Sequence, residues 1–149
     1  NIRIVGNYYN IEEVPEEYRQ YVEEIVEIKG ISTYTFNYAK VIKGNYNDTL
    51  YVYMNNIDDT LRFEIRIYPQ EIQRVRETYP GYTFEKEFED EGICFDVFSK
   101  KEVSGVNTYI MYFYYGKEKY IVVGRMTEDT IRDIVIDYKN IVLNYQEKK

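Results

Sequence analysis

The residues able to do chemistry in this chain are carboxylates and tyrosines. Twenty-six Asp and Glu and nineteen Tyr stand beside a single Cys, with no His and no Trp. Without His, no Ser-His or Cys-His nucleophile pair can be assembled, no imidazole serves as acid or base, and no metal site can be built on imidazole. One Cys excludes an internal disulfide and any two-thiol zinc or redox motif. Paired carboxylates can hydrolyse glycosides, but such enzymes offer an aromatic cleft, and a chain of 149 residues without Trp is poorly furnished for one. The acidic run Glu85, Glu87, Glu89, Asp90 and Glu91 carries oxygens of the kind calcium takes. It lacks the DxDxDG spacing of a calcium loop and reads as a solvated hairpin turn, as does Asp58-Asp59.

The remaining candidates are equally plain. Cys94, in GICFDVF, falls on the strand face opposite Ile93, Phe95 and Val97, with no basic neighbour in sequence to activate it, so a structural thiol is expected. Ser99-Lys100-Lys101 is not the SxxK of Ser-Lys hydrolases, and no P-loop, GxGxxG or GxSxG occurs. No catalysis, cofactor or metal is expected. Nineteen Lys and Arg against twenty-six acids leave a net charge of −7, which lacks the basic footprint a nucleic-acid partner requires.

Tyrosine is the one surface signal. In the run from Thr108 to Tyr115, Tyr109, Met111, Phe113 and Tyr115 alternate with Ile110, Tyr112 and Tyr114, so neither strand face is polar. A sheet covered by helices on both faces accounts for that. If one face is open instead, Tyr51, Tyr53, Tyr112 and Tyr114, with Arg62 and Arg66, form an aromatic patch suited to a peptide or protein.

These residues need elements to position them. A short apolar stretch, Ile2 to Val5, followed by Gly6, reads as an edge strand or an arm within residues 1–10. From Pro15 the spacing of Tyr18, Val22, Ile25 and Lys29 predicts a helix closed by Gly30. Strands follow at Ile31 to Ile42, Leu50 to Met54 and Leu61 to Ile67, the last with Leu61, Phe63, Ile65 and Ile67 on one face and Arg62, Glu64 and Arg66 on the other. Pro69 and the spacing of Ile72, Val75 and Tyr79 predict a second helix ended by Pro80-Gly81. Strands near Tyr82 to Phe88 and Ile93 to Phe98 come next. Thr108 to Tyr115 and Lys119 to Gly124 then form a hairpin turned at Gly116-Lys117. Thr127 caps a C-terminal helix whose inner face carries Ile131, Ile134, Val135, Tyr138, Ile141 and Val142.

The expected fold is α+β: one domain over residues 1–149, an antiparallel sheet of about six to seven strands, and three helices packed on it. Hairpin followed by helix is used twice, at 50–79 and 108–142. No apolar stretch is long enough to span a membrane, and a start at Asn1 rather than Met suggests a trimmed or mature fragment, so the lack of an anchor within it carries little weight.

The segments VPEEY at Val14 to Tyr18, YFYYGKEKYIVVG at Tyr112 to Gly124, and MTEDTIRDIV from Met126 resemble the C-terminal half of DUF4367-type domains. They are similar, more loosely, to PsbP/Mog1-like sandwiches. The resemblance covers about residues 105–142. It implies a non-catalytic extracytoplasmic domain of a Gram-positive membrane-anchored protein or lipoprotein, binding a protein or peptide in envelope sensing or signalling. The alternative is a small-ligand carrier or minor carboxylate enzyme with a pocket in the sheet; a cytosolic interaction module is a third reading.

Overall fold

A computed structural model describes residues 3–147. Ile2, assigned above to the first strand, lies outside them. One antiparallel sheet of eight strands organises the chain: β1 (Arg3–Tyr8), β2 (Thr35–Lys43), β3 (Asp48–Asn55), β4 (Thr60–Ile67), β5 (Thr83–Asp90), β6 (Ile93–Lys100), β7 (Thr108–Tyr115) and β8 (Glu118–Arg125). Their spatial order is β1-β2-β3-β4-β8-β7-β6-β5. The sheet is thus two four-stranded meanders, β1–β4 and β5–β8, joined along their last strands, with Leu61 opposite Gly124 and Ile67 opposite Glu118. β1 is an edge strand, as its composition suggests.

Two α-helices, α1 (Glu16–Val26) and α2 (Glu128–Glu147), cover one face. Tyr18, Val22 and Ile25 of α1 and Ile131, Ile134, Val135, Tyr138 and Val142 of α2 are buried against Leu50, Val52, Phe63, Ile65, Met111, Phe113, Tyr120 and Val122. These strand positions alternate with residues of the other face, as the pleat requires. Phe113 stacks on Tyr120 at 4.9 Å, and Tyr138 meets both edge-on. The Thr127 hydroxyl accepts the Thr130 backbone N–H at 3.3 Å, the N-cap its position implies. Gly116 turns the β7–β8 hairpin with φ +60°, a backbone conformation that disfavours a side chain.

Three expectations are corrected. Eight strands replace six or seven, because the first segment pairs fully with β2. α1 ends at Val26, and Gly30 sits in a separate 3-10 turn, Lys29–Ile31, rather than capping the helix. Most consequentially, no helix forms at Pro69 to Tyr79, so hairpin-then-helix occurs once. Residues 68–82 instead run as an irregular strap over the second face of the sheet. The reason is visible in Arg74 and Arg76, which both donate to Glu87 Oε2, at 2.9 and 2.8 Å. Side chains two apart diverge on a helix but can share a partner from non-helical backbone. Helix-forming residues are overridden by what lies beneath them.

Candidate functional site

Strand pairing arranges the second face in transverse rows. One runs Tyr38, Tyr53, Arg62, Val123, Ile110, Phe98, and the next runs Lys40, Tyr51, Glu64, Ile121, Tyr112, Asp96, Glu87. A third carries Ile42, Thr49, Arg66, Lys119 and Tyr114. The β5–β8 end of these rows is under the strap, and the β2–β3 end is not.

Beneath the strap lies a second small core of Phe98, Ile110, Tyr112 and Ile121, joined by Tyr79, Tyr82, Tyr114 and Val123. Asp96 and Lys119 are both 0% exposed within it. An ion buried without a partner is strongly unfavourable, and the strap supplies partners for both. Arg74 binds Asp96 directly, with Arg76 at 3.7 Å, while Glu77 takes the Lys119 ammonium. Glu77 also receives Arg66 at 2.8 Å, and Arg66 reaches Glu64 at 3.1 Å. The Tyr112 hydroxyl donates to Asp96 Oδ2 at 2.7 Å and accepts the Glu77 backbone N–H at 3.3 Å. Tyr114 donates to the Val75 carbonyl at 2.9 Å. Lys119 lies 3.9 Å from the centre of the Tyr112 ring, a cation–π contact in a desolvated setting.

Protonation follows from this packing. Burial pushes the Glu77 carboxyl up, but Lys119 and Arg66 outweigh it and hold it below the usual carboxylate range. Hydrogen bonding from Arg74 leads the causes that hold Glu87 low. Burial lowers the Lys119 ammonium against the pull of Glu77. Burial, then the hydrogen bond to Asp96, raises the Tyr112 phenol. These ion pairs and hydrogen bonds together fasten the strap to the sheet.

The uncovered end is built differently. Tyr38 and Tyr53 stack at 4.5 Å and 17°, and Tyr51 continues the stack from Tyr53 at 6.3 Å and 18°. Tyr9, 64% exposed, adjoins Tyr38 at 5.8 Å. Tyr38, Tyr51 and Tyr53 are half-buried and pack into neither core. Lys40 sits 5.0 Å from the centre of the Tyr51 ring. Among the described residues neither Lys40 nor Arg62 has a carboxylate within ion-pair distance, and Arg62 Nε is buried with no hydrogen-bond partner. Burial raises the Tyr51 and Tyr53 phenols, so both hydroxyls remain donors at neutral pH.

The six patch residues therefore divide. Tyr51, Tyr53 and Arg62 share the open end, whereas Tyr112, Tyr114 and Arg66 are engaged by the strap. Both faces of β7 are covered, but by helices on one side and strap on the other. Tyr38 and Lys40 were missed, although Tyr38, Lys40 and Ile42 alternate with Ala39 and Val41 in the sequence. A bulge between Phe36 and Tyr38 resets that alternation relative to the preceding residues, and the pairing with Tyr53 and Tyr51 is a fact of register.

Elsewhere, Cys94 is half-buried and burial raises its thiol. The acidic β5–β6 turn holds the buried Lys139 of α2 through Asp90 at 2.7 Å and Glu91 at 3.2 Å. Asp59 pairs with Arg125 at 2.6 Å. Among the described residues no group of three His, Cys, Asp or Glu could hold a metal ion, and no helix is long and apolar enough to cross a membrane. Surface clefts include one of about 650 Å³ among Gly81, Thr83, Glu85, Ser99, Lys100 and Asn107, and one of about 260 Å³ formed by the strap residues Tyr68, Ile72 and Glu77 with Tyr114. No protein-family model, curated protein or solved structure matches the chain.

Proposed function

We propose that this α+β domain is a non-catalytic binding module that takes a protein or peptide segment on the open tyrosine end of its sheet. The observation that carries the reading is the stacked series Tyr38, Tyr53 and Tyr51, flanked by Lys40 and Arg62, on a face that the strap leaves uncovered. Rigid aromatic side chains give large contact area at low entropic cost. Under the resemblance to DUF4367-type domains, the module works outside the cytoplasm of a Gram-positive bacterium, tethered to the membrane, in envelope sensing or signalling. The pocket-enzyme alternative draws no support from Glu77 and Glu87, whose carboxyls are held low rather than raised.

The experiment replaces Tyr53, and in a control the fully exposed Val103, by p-benzoylphenylalanine in the producing cell. Crosslinks to a defined partner from position 53 alone, in the membrane fraction, are expected. Equal labelling from both positions overturns the binding face, and recovery of the chain in the soluble cytosolic fraction overturns the tethered extracytoplasmic assignment.

A further inference from the structure

The open end has a charge pattern that selects its ligand. Among the described residues Arg62 and Lys40 have no carboxylate partner, in a chain whose net charge is −7. On the same sheet face, Arg66, Lys119, Arg74 and Arg76 all have acidic partners. Glu64, two residues along β4 and in the row of Lys40, is 7% exposed and bound by Arg66. Arg62 Nε is a buried donor with nothing to receive its hydrogen. Being sealed from solvent, that nitrogen is equally closed to a ligand, so an incoming acceptor meets the terminal nitrogens of the guanidinium instead.

Ring geometry narrows the choice further. Tyr38 and Tyr53 stack at 4.5 Å, which occupies one face of each ring. The phenolic hydroxyls of these rings are hydrogen-bond donors. Cations and phenolic donors together match an anionic acceptor group, of which the carboxylate is the one a peptide chain itself carries. Lys40 and Arg62 stand on β2 and β4, one row apart, which puts their backbones about 12 Å from each other by standard sheet spacings. That separation matches carboxylates three or four residues apart on an extended chain.

We propose that the partner of this face is an acidic, extended peptide segment, its carboxylates received by Arg62 and Lys40 with the hydroxyls of Tyr51 and Tyr53 as additional donors. This rests on the peptide-binding reading above and specifies its ligand. The chain's own negative charge opposes an acidic partner at long range, so recognition depends on contacts within a Debye length, about 8 Å at physiological salt.

The test follows tyrosine ring resonances by NMR while synthetic peptides of alternating Glu and Ser, Gln and Ser, or Lys and Ser are titrated into the intact chain. The Glu peptide is expected to shift Tyr38, Tyr51 and Tyr53 and leave Tyr112 in place. Arg62→Gln should weaken it by about tenfold, the scale of one lost charge-assisted hydrogen bond. Lys40→Gln should weaken it less, and both variants should keep the wild-type far-UV spectrum. Equal binding of the Glu and Gln peptides, or a Glu-peptide affinity unchanged in both variants, overturns the acidic-ligand proposal while leaving a peptide face. Failure of all three peptides to move these rings overturns the peptide-binding reading as well.

Discussion

Two ends of one sheet face treat charge in opposite ways. Under the strap, Asp96 and Lys119 are fully buried, and the chain brings Arg74 and Glu77 across to meet them. At the open end, Arg62 and Lys40 stand among stacked tyrosines and nothing is brought to them. The difference lies in what each end costs when left alone. A desolvated ion forces the fold to provide a counter-charge, whereas a cation at a solvated margin can wait for one from outside. Covered tyrosines are therefore expected to govern stability, and open ones to govern binding.

The sharpest way to break this contrast is Tyr112→Ser. Tyr112 has no exposed surface, supports Lys119 from below and donates to Asp96, so its truncation should cost about 3–5 kcal/mol, read as a lower denaturant midpoint. A value near that of an open-end tyrosine would erase the distinction. Next is Glu77→Gln, which strands the Lys119 ammonium and should cost about 2–4 kcal/mol. A compensating Lys119→Met in the same chain should recover much of that loss, a result that separates a stranded charge from simple loss of packing.

Acid provides a graded version of the same experiment. The Glu77 carboxyl is held below its ordinary 4.5, so the folded chain binds fewer protons there than the unfolded chain. The stability this contributes is fully present above pH 4.5 and is lost as pH falls through the folded-state value. The protection factor of the Glu77 amide, which donates to the Tyr112 hydroxyl, should fall over that range before protection in β2 and β3 does. The smallest effect belongs to Tyr53→Ser, expected to cost about 1–2 kcal/mol, the scale of a half-buried aromatic pair, while removing the peptide response of the open end.

Much of the architecture was legible because burial and periodicity agreed. Leu61, Phe63 and Ile65 alternate as a half-buried strand must, and Ile131, Ile134, Val135 and Tyr138 mark the buried face of α2 as clearly. The strap was not legible, since Ile72, Val75 and Tyr79 have helical spacing and their neighbours favour helix. Its conformation answers to Asp96 and Lys119, residues distant in sequence whose burial no local pattern announces. The patch was legible in part for the same reason. Tyr51, Tyr53 and Arg62 follow from strand alternation, but the fate of Tyr112 and Tyr114 depended on the strap, and Tyr38 and Lys40 required the register between β2 and β3.

The junction of the meanders along β4 and β8 bears on how the chain reaches this state. Pairings inside each meander join neighbouring strands, whereas the junction joins residues as far apart as Leu61 and Gly124. Closing so long a loop is entropically slow compared with forming a hairpin. The two meanders are thus suited to form first and dock second, with residues 68–82 as the tether that sets their effective concentration. Docking brings β8 beside β4 and so brings Lys119 next to Arg66, leaving two cations adjacent until Glu77 arrives between them. The segment that links the halves also carries Glu77, the carboxylate that Arg66 of one half and Lys119 of the other share.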